Sequence, residues 1–208
     1  MPEIDPGIPG IEVEPGDHIC CLYRGLRERD EVLLPYLTNG LTAGDKCICI
    51  VDASEPSEVL ASLPPEADAR ARADAEQLEL LRASETYLRS GTFSRPEMLE
   101  YWKTAMSAAV NEGYPLTRAA GETSWSLGSE TDMNEFVRYE SELNRVFALA
   151  PQVILCLYDL DRFDGALVMD VLSTHPKMLL GGIVVENPNY LTPDEFLAQQ
   201  DQRLTDNR

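Results

Sequence analysis

Short runs of Ile, Val, Leu and Cys with little polar alternation recur along the chain, and apolar residues return at helical spacing between them. The runs fall at 18–23, 47–52, 78–83, 116–121, 152–158 and 178–185. Strands without alternation are buried on both faces, as in a parallel sheet covered by helices, so the repeated order of strand and helix predicts an α/β domain. Met98, Trp102, Ala105 and Ala109 form one helical stripe, preceded by Ser94, Pro96 and Glu97 in the pattern of a capping box. Phe136, Tyr139, Leu143 and Phe147 form a second stripe. Both stripes read as packing surfaces. Thr192-Pro193-Asp194-Glu195 caps a last helix whose Gln- and Asp-rich end is expected to fray. Pro35 must kink the first helix or mark its true start. Residues 64–77, alanines with charges of both signs, read as an exposed connector or a short surface helix.

This pattern divides the chain into a flexible, proline-containing arm at 1–14, one domain at 15–190 opened by the turn Pro15-Gly16-Asp17, and a capping helix or tail at 191–208. A length of 208 residues suits a single core, and 44% apolar with 25% charged residues is the composition of a soluble globule. The formal net charge of −19 disfavours direct contact with nucleic acid or an anionic membrane. Any control of genes would then run through another chain. No stretch reaches the roughly 18 apolar residues of a membrane span, and the acidic start Met1-Pro2-Glu3-Ile4-Asp5 lacks a basic leader, so a cytoplasmic location is expected. The five cysteines lie mostly in strand-like runs and do not suggest a disulfide framework. Cys47 and Cys49 should share one sheet face, and Cys20 and Cys21 should point to opposite faces.

The first strand enters its helix through Arg24-Gly25-Leu26-Arg27-Glu28-Arg29-Asp30, with one glycine and two acids. A phosphate cradle needs closely spaced glycines followed by Lys and Ser/Thr, and none of the three lysines, Lys46, Lys103 and Lys177, follows a glycine. Ligands of open α/β sheets settle beyond the carboxyl ends of the strands. That rule selects Tyr23 and Arg24, Asp52 and Glu55, Glu122 and Trp125, and Tyr158, Asp159 and Arg162. Such groups suit a small organic molecule with a polar handle. In that reading Trp125 is an apolar wall, Glu122 and Asp159 are acceptors, and Arg24 meets an anion or carbonyl. Each could equally be a helix cap or a loop ion pair.

A metal site would require His18, Cys20 or Cys21, Cys156 and His175 to converge. Their spacing resembles no zinc knuckle or ribbon, and both histidines stand at strand beginnings, away from the crevice. Neither a metal nor another cofactor is expected. A nucleophilic enzyme would need a base beside its thiol, whereas Cys156 sits among strand hydrophobes that dull it. The chain therefore reads as a binding protein, not an enzyme. The alternatives are a protein-interaction module with a vestigial pocket and a residual nucleotide-binding enzyme.

Several stretches together resemble the MEDS domain, a family named for methanogens, methylotrophs and the sensory part of a dichloromethane-responsive repressor. They are residues 15–23 (Pro15-Gly16-Asp17-His18-Ile19-Cys20-Cys21-Leu22-Tyr23), 33–47, Arg118-Ala119-Ala120-Gly121-Glu122-Thr123-Ser124-Trp125, 156–163, Thr174-His175-Pro176 and Asn187-Pro188-Asn189-Tyr190. The resemblance implies a RecA-like three-layer α/β/α fold with a mainly parallel sheet and a degenerate P-loop. It also implies a sensory role toward small hydrocarbon-derived molecules, with His18 and Cys20 of the first strand as ligand contacts. Family members are joined to kinase, DNA-binding or anti-sigma modules. None is visible here, so a stand-alone sensor that signals through a regulatory protein partner or as a homodimer is expected.

Overall fold

In the computed structural model, which describes residues 4–10, 13–148 and 150–206, seven strands form one sheet in the order β3-β2-β4-β5-β1-β6-β7. The strands are β1 (His18–Tyr23), β2 (Lys46–Val51), β3 (Leu78–Arg82), β4 (Thr117–Glu122), β5 (Gln152–Asp159), β6 (Lys177–Leu180) and β7 (Ile183–Glu186). Every neighbouring pair is parallel except β6 with β7. The segment expected as one strand at 178–185 is thus a hairpin. Gly181 and Gly182, with φ of +59° and +79°, supply the positive backbone angles its two-residue turn requires.

The helices are α1 (Gly25–Ala43), α2 (Pro56–Ser62), α3 (Ala69–Asp74), α4 (Arg95–Asn111), α5 (Met133–Phe147), α6 (Gly165–Thr174) and α7 (Pro193–Asp206). Period-two alternation along the strands divides the core between the two sheet faces. Cys21, Cys47, Cys49, Leu155 and Leu157 pack under α1, α2 and α3 with Leu33, Leu37, Val59 and Ala69. Cys20, Ile48, Ile50, Ile154 and Cys156 pack under the other four helices with Trp102, Phe136, Val171 and Phe196. Cys20 and Cys21 therefore do face opposite ways, and all five cysteines are buried and unpaired.

Several local expectations change. The first helix runs unbroken through Pro35, because burial of Leu33, Tyr36, Leu37 and Leu41 outweighs the one backbone hydrogen bond that proline forfeits. Ser94 makes no side-chain cap, and Glu97 instead accepts from the Ser90 hydroxyl at 3.4 Å. A true capping box forms at Glu55 and Glu58, where sequence inspection found none. Thr192 and Glu195 do bond reciprocally at the start of α7. Part of the N-terminal arm lies against the domain. Ile4 bridges Val13, Gly10 bridges Val184, and the Asp5 carbonyl accepts from Arg118 at 2.8 Å. The remaining residues of the arm, 1–3, 11 and 12, lie outside the described residues. No helix among the described residues is long and apolar enough to cross a membrane.

α1 runs close against the sheet at Gly40, where an added Cβ would stand 2.6 Å from Arg118 Cδ and 2.7 Å from Cys47 Sγ. Arg118 cannot easily retreat, because its Nε donates to Asp45 Oδ2 at 2.7 Å. Gly40→Ala, which improves helix propensity, should therefore destabilise the domain by about 1–3 kcal/mol through overpacking, measured by urea denaturation.

Candidate ligand site and a buried side-chain cluster

At the carboxyl edge of the sheet, β1 and α1 are joined by the single residue Arg24. Gly25, at φ +65°, lets the chain reverse in so short a space. The Arg24 N–H, which could have faced an anion, donates to Glu28 Oε2 at 2.8 Å. The helix start is thus satisfied by its own acid. Arg29, one turn on, is buried and donates to Glu122 Oε1 at 2.6 Å and to Ser54 Oγ at 2.7 Å. Glu122 Oε2 accepts from the Asp52 and Ala53 N–H groups at 2.5 and 2.6 Å. This carboxylate ties α1 and the β2–α2 loop to the end of β4, so both of its oxygens are already engaged.

The strand-end residues selected from sequence do not share one pocket. Tyr23 pairs in register with Asp159, and Arg24 lies 3.9 Å from Asp161, so these groups meet where the connections leaving β1 and β5 diverge. Trp125 instead stacks on Tyr87 at 4.3 Å between ring centroids, with Phe93 and Phe136 beside it, inside the core. Tyr158 and Cys20 lie buried on the α4–α7 face. The reason is the pleat: a rule that selects strand ends takes residues from both faces, and the sheet separates them.

Tyr23 lines a cavity of about 450 Å³ with Leu22, Arg27, Val32, Leu179 and the Gly181–Gly182 turn, closed on one side by the arm at Gly7, Ile8 and Pro9. The Tyr23 hydroxyl is buried without a hydrogen-bond partner among the described residues. Burial, with Glu122 and Asp159 nearby, raises its pKa. It therefore stays a neutral donor.

On the opposite face, the fold assembles residues that the sequence reading had set aside. His18 at the start of β1 and His175, between α6 and β6, approach to 3.8 Å between ring centroids. Their separation in sequence hid this, because β6 lies directly beside β1. Cys156 Sγ stands 3.2 Å from His18 Nε2. Glu140 of α5, which nothing in the sequence pattern singled out, places Oε2 3.5 Å from Nε2 of each histidine. One ligand-type atom from each of the four lies within 4.8 Å of all the others, and all four residues are buried. Burial lowers both imidazole pKa values to about 3 and raises those of Glu140 and Cys156.

A largely parallel α/β/α sheet of this kind is the fold of RecA-like domains. Solved structures with this fold include the flagellar accessory protein FlaH of Methanocaldococcus jannaschii, at a TM-score of 0.53 and 9% identity over 83% of this chain and 76% of that one. The ATPase domain of G40P matches at a TM-score of 0.55 and 6% identity, over 80% and 69% of the respective chains. Residues 17–176 match the family described as MEDS, the methanogen/methylotroph, DcmR sensory domain, and the chain belongs to that family. The transcriptional repressor DcmR of Methylorubrum extorquens is 25% identical over 174 residues, which cover 81% of this chain and 61% of the repressor. The chain thus spans about three fifths of that relative's length. These relationships give it a sensory or regulatory role.

Replacing Glu122 with Gln would leave the buried Arg29 guanidinium with Asp30 as its remaining charge partner. Glu122→Gln should cost about 3 kcal/mol of stability, read by guanidinium chloride denaturation.

Proposed function

We propose that this domain senses a small organic molecule, of the hydrocarbon-derived class suggested by its family resemblance, and reports it to a regulatory protein without chemical turnover. The ligand occupies the cavity beside Tyr23. The observation that carries this reading is a cavity large enough for a small ligand, walled in part by Tyr23, whose buried hydroxyl is a donor without a partner among the described residues. Leu22, Val32 and Leu179 provide apolar lining, while Arg24 and Asp159 at the adjoining edge select for a polar substituent. Occupancy alters the packing of the Gly7–Pro9 arm and the β6–β7 turn, both of which border the cavity. A partner with a basic face reads that change, in keeping with a chain of net charge −19.

The one-residue junction between β1 and α1 supports sensing over nucleotide hydrolysis, because its backbone donor is already spent on Glu28. His18, Cys20, Trp125 and Tyr158 belong to the other face and take no part in this cavity.

Thermal-shift screening against short alcohols, haloalkanes and carboxylic acids should find compounds that raise Tm. Tyr23→Phe should leave the stability of the free protein nearly unchanged and weaken binding of such a compound about three- to tenfold. Unaltered affinity in Tyr23→Phe, or steady ATP turnover by the pure protein, would overturn this assignment.

A further inference from the structure

The cluster of His18, Glu140, Cys156 and His175 carries a second, independent assignment. Its two imidazoles are fixed in one tautomer by their neighbours. Asn144 donates through Nδ2 to the carbonyls of Ser141 at 3.0 Å and Thr174 at 2.8 Å, leaving Oδ1 to accept from His18 Nδ1 at 3.3 Å. The Val171 carbonyl, which can only accept, lies 2.8 Å from His175 Nδ1. Both protons therefore reside on Nδ1, and both Nε2 lone pairs turn toward the Glu140 carboxyl group and the Cys156 sulfur. This is the outer-shell arrangement that orients histidines as metal ligands.

Without a cation, the interior of the cluster is poorly satisfied. His175 Nε2 and Glu140 Oε2 are both buried and have no hydrogen-bond partner among the described residues. A cation between these two groups, held 3.5 Å apart in a site closed to solvent, would satisfy both. We propose that His18, Glu140, Cys156 and His175 bind one divalent transition-metal ion, zinc being the best match to their donor set. Two nitrogens, one carboxylate oxygen and one thiolate suit a tetrahedral centre. At ordinary zinc bond lengths the ligand atoms of such a centre lie about 3.3–3.6 Å apart. Three of the six observed separations, 3.2 Å from His18 to Cys156 and 3.5 Å from each histidine to Glu140, stand near those values, and all six fall within 4.8 Å.

The charges balance as well. Binding displaces the Cys156 thiol proton and any proton on Glu140 to solvent, so a dication, a thiolate, a carboxylate and two neutral imidazoles leave no net buried charge. The ligands come from β1, α5, β5 and the α6–β6 junction. The ion would therefore cross-link four elements that are distant in sequence, and with no exposed position it makes a closed, structural centre.

The test uses the full chain, purified without chelators and then stripped and titrated with Zn²⁺ and Co²⁺. One equivalent should bind and raise Tm, and the cobalt form should show intense tetrahedral d–d bands with a thiolate-to-cobalt charge-transfer band. Cys156→Ser should abolish the charge-transfer band. Glu140→Gln should weaken binding more than about 100-fold, and Asn144→Ala, which only loosens His18, about 10- to 100-fold. Should the buried variants fail to fold, X-ray absorption at the zinc edge of the unmodified chain decides. One sulfur and two imidazoles in the first shell support the centre, and any other set overturns it. Absence of stoichiometric binding by the folded chain overturns it too, as does binding unaffected by Cys156→Ser and Glu140→Gln. None of these outcomes depends on the cavity at Tyr23.

Discussion

The ion pair between Arg29 and Glu122 organises the carboxyl edge of the sheet, where this fold places its ligands. Burying a carboxylate and a guanidinium costs several kcal/mol unless their remaining hydrogen-bonding capacity is filled. Here the Ser54 hydroxyl, Asp30 and two backbone N–H groups fill it. The result is a fixed corner made from α1, the β2–α2 loop and β4. Its chemistry is the reverse of a phosphate site: the acids Glu28 and Glu122 take the backbone donors that would otherwise face an anion. The interaction that secures this edge also keeps the backbone donors nearest it engaged.

Much of the architecture was legible because buried parallel strands are written as continuous apolar runs. The segments beginning at His18, Cys47 and Gln152 needed no tertiary information, and neither did the stripe containing Phe136, Tyr139, Leu143 and Phe147. Tertiary context decided the rest. The β6–β7 reversal depends on two glycines that interrupt an otherwise apolar run. The capping box at Glu55 uses a residue seldom found at a helix start. The site was harder to read. Position at a strand end does not reveal which face a side chain occupies, so Tyr23 and Tyr158 were grouped although the sheet lies between them. Glu140 sits between Tyr139 and Ser141 in an amphipathic helix, and only its packing against His18 and His175, each more than thirty positions away, gives it meaning.

The cavity and the proposed metal centre lie on opposite faces of the sheet yet share β1, with His18 at its start and Tyr23 at its end. Five residue steps along an extended strand span about 16 Å. Both neighbours of this strand are parallel, and it pairs with β5 along its whole length and with β6 over Ile19–Cys21. A rigid strand of this kind gives each site a fixed foundation. The Gly7–Pro9 segment and the hairpin turn lie beside the cavity.

That arm has one more effect on the molecule. Val184 donates its N–H to the Pro9 carbonyl at 2.9 Å, and Gly10 passes so near that any Cβ would stand 2.4 Å from the Val184 oxygen. Pro9 and Gly10 thus occupy part of the outermost strand's free margin, the kind of unpaired backbone that invites a second molecule to add on. Only the residue without a side chain fits there, so the identity of position 10 bears on whether this protein remains dispersed at high concentration.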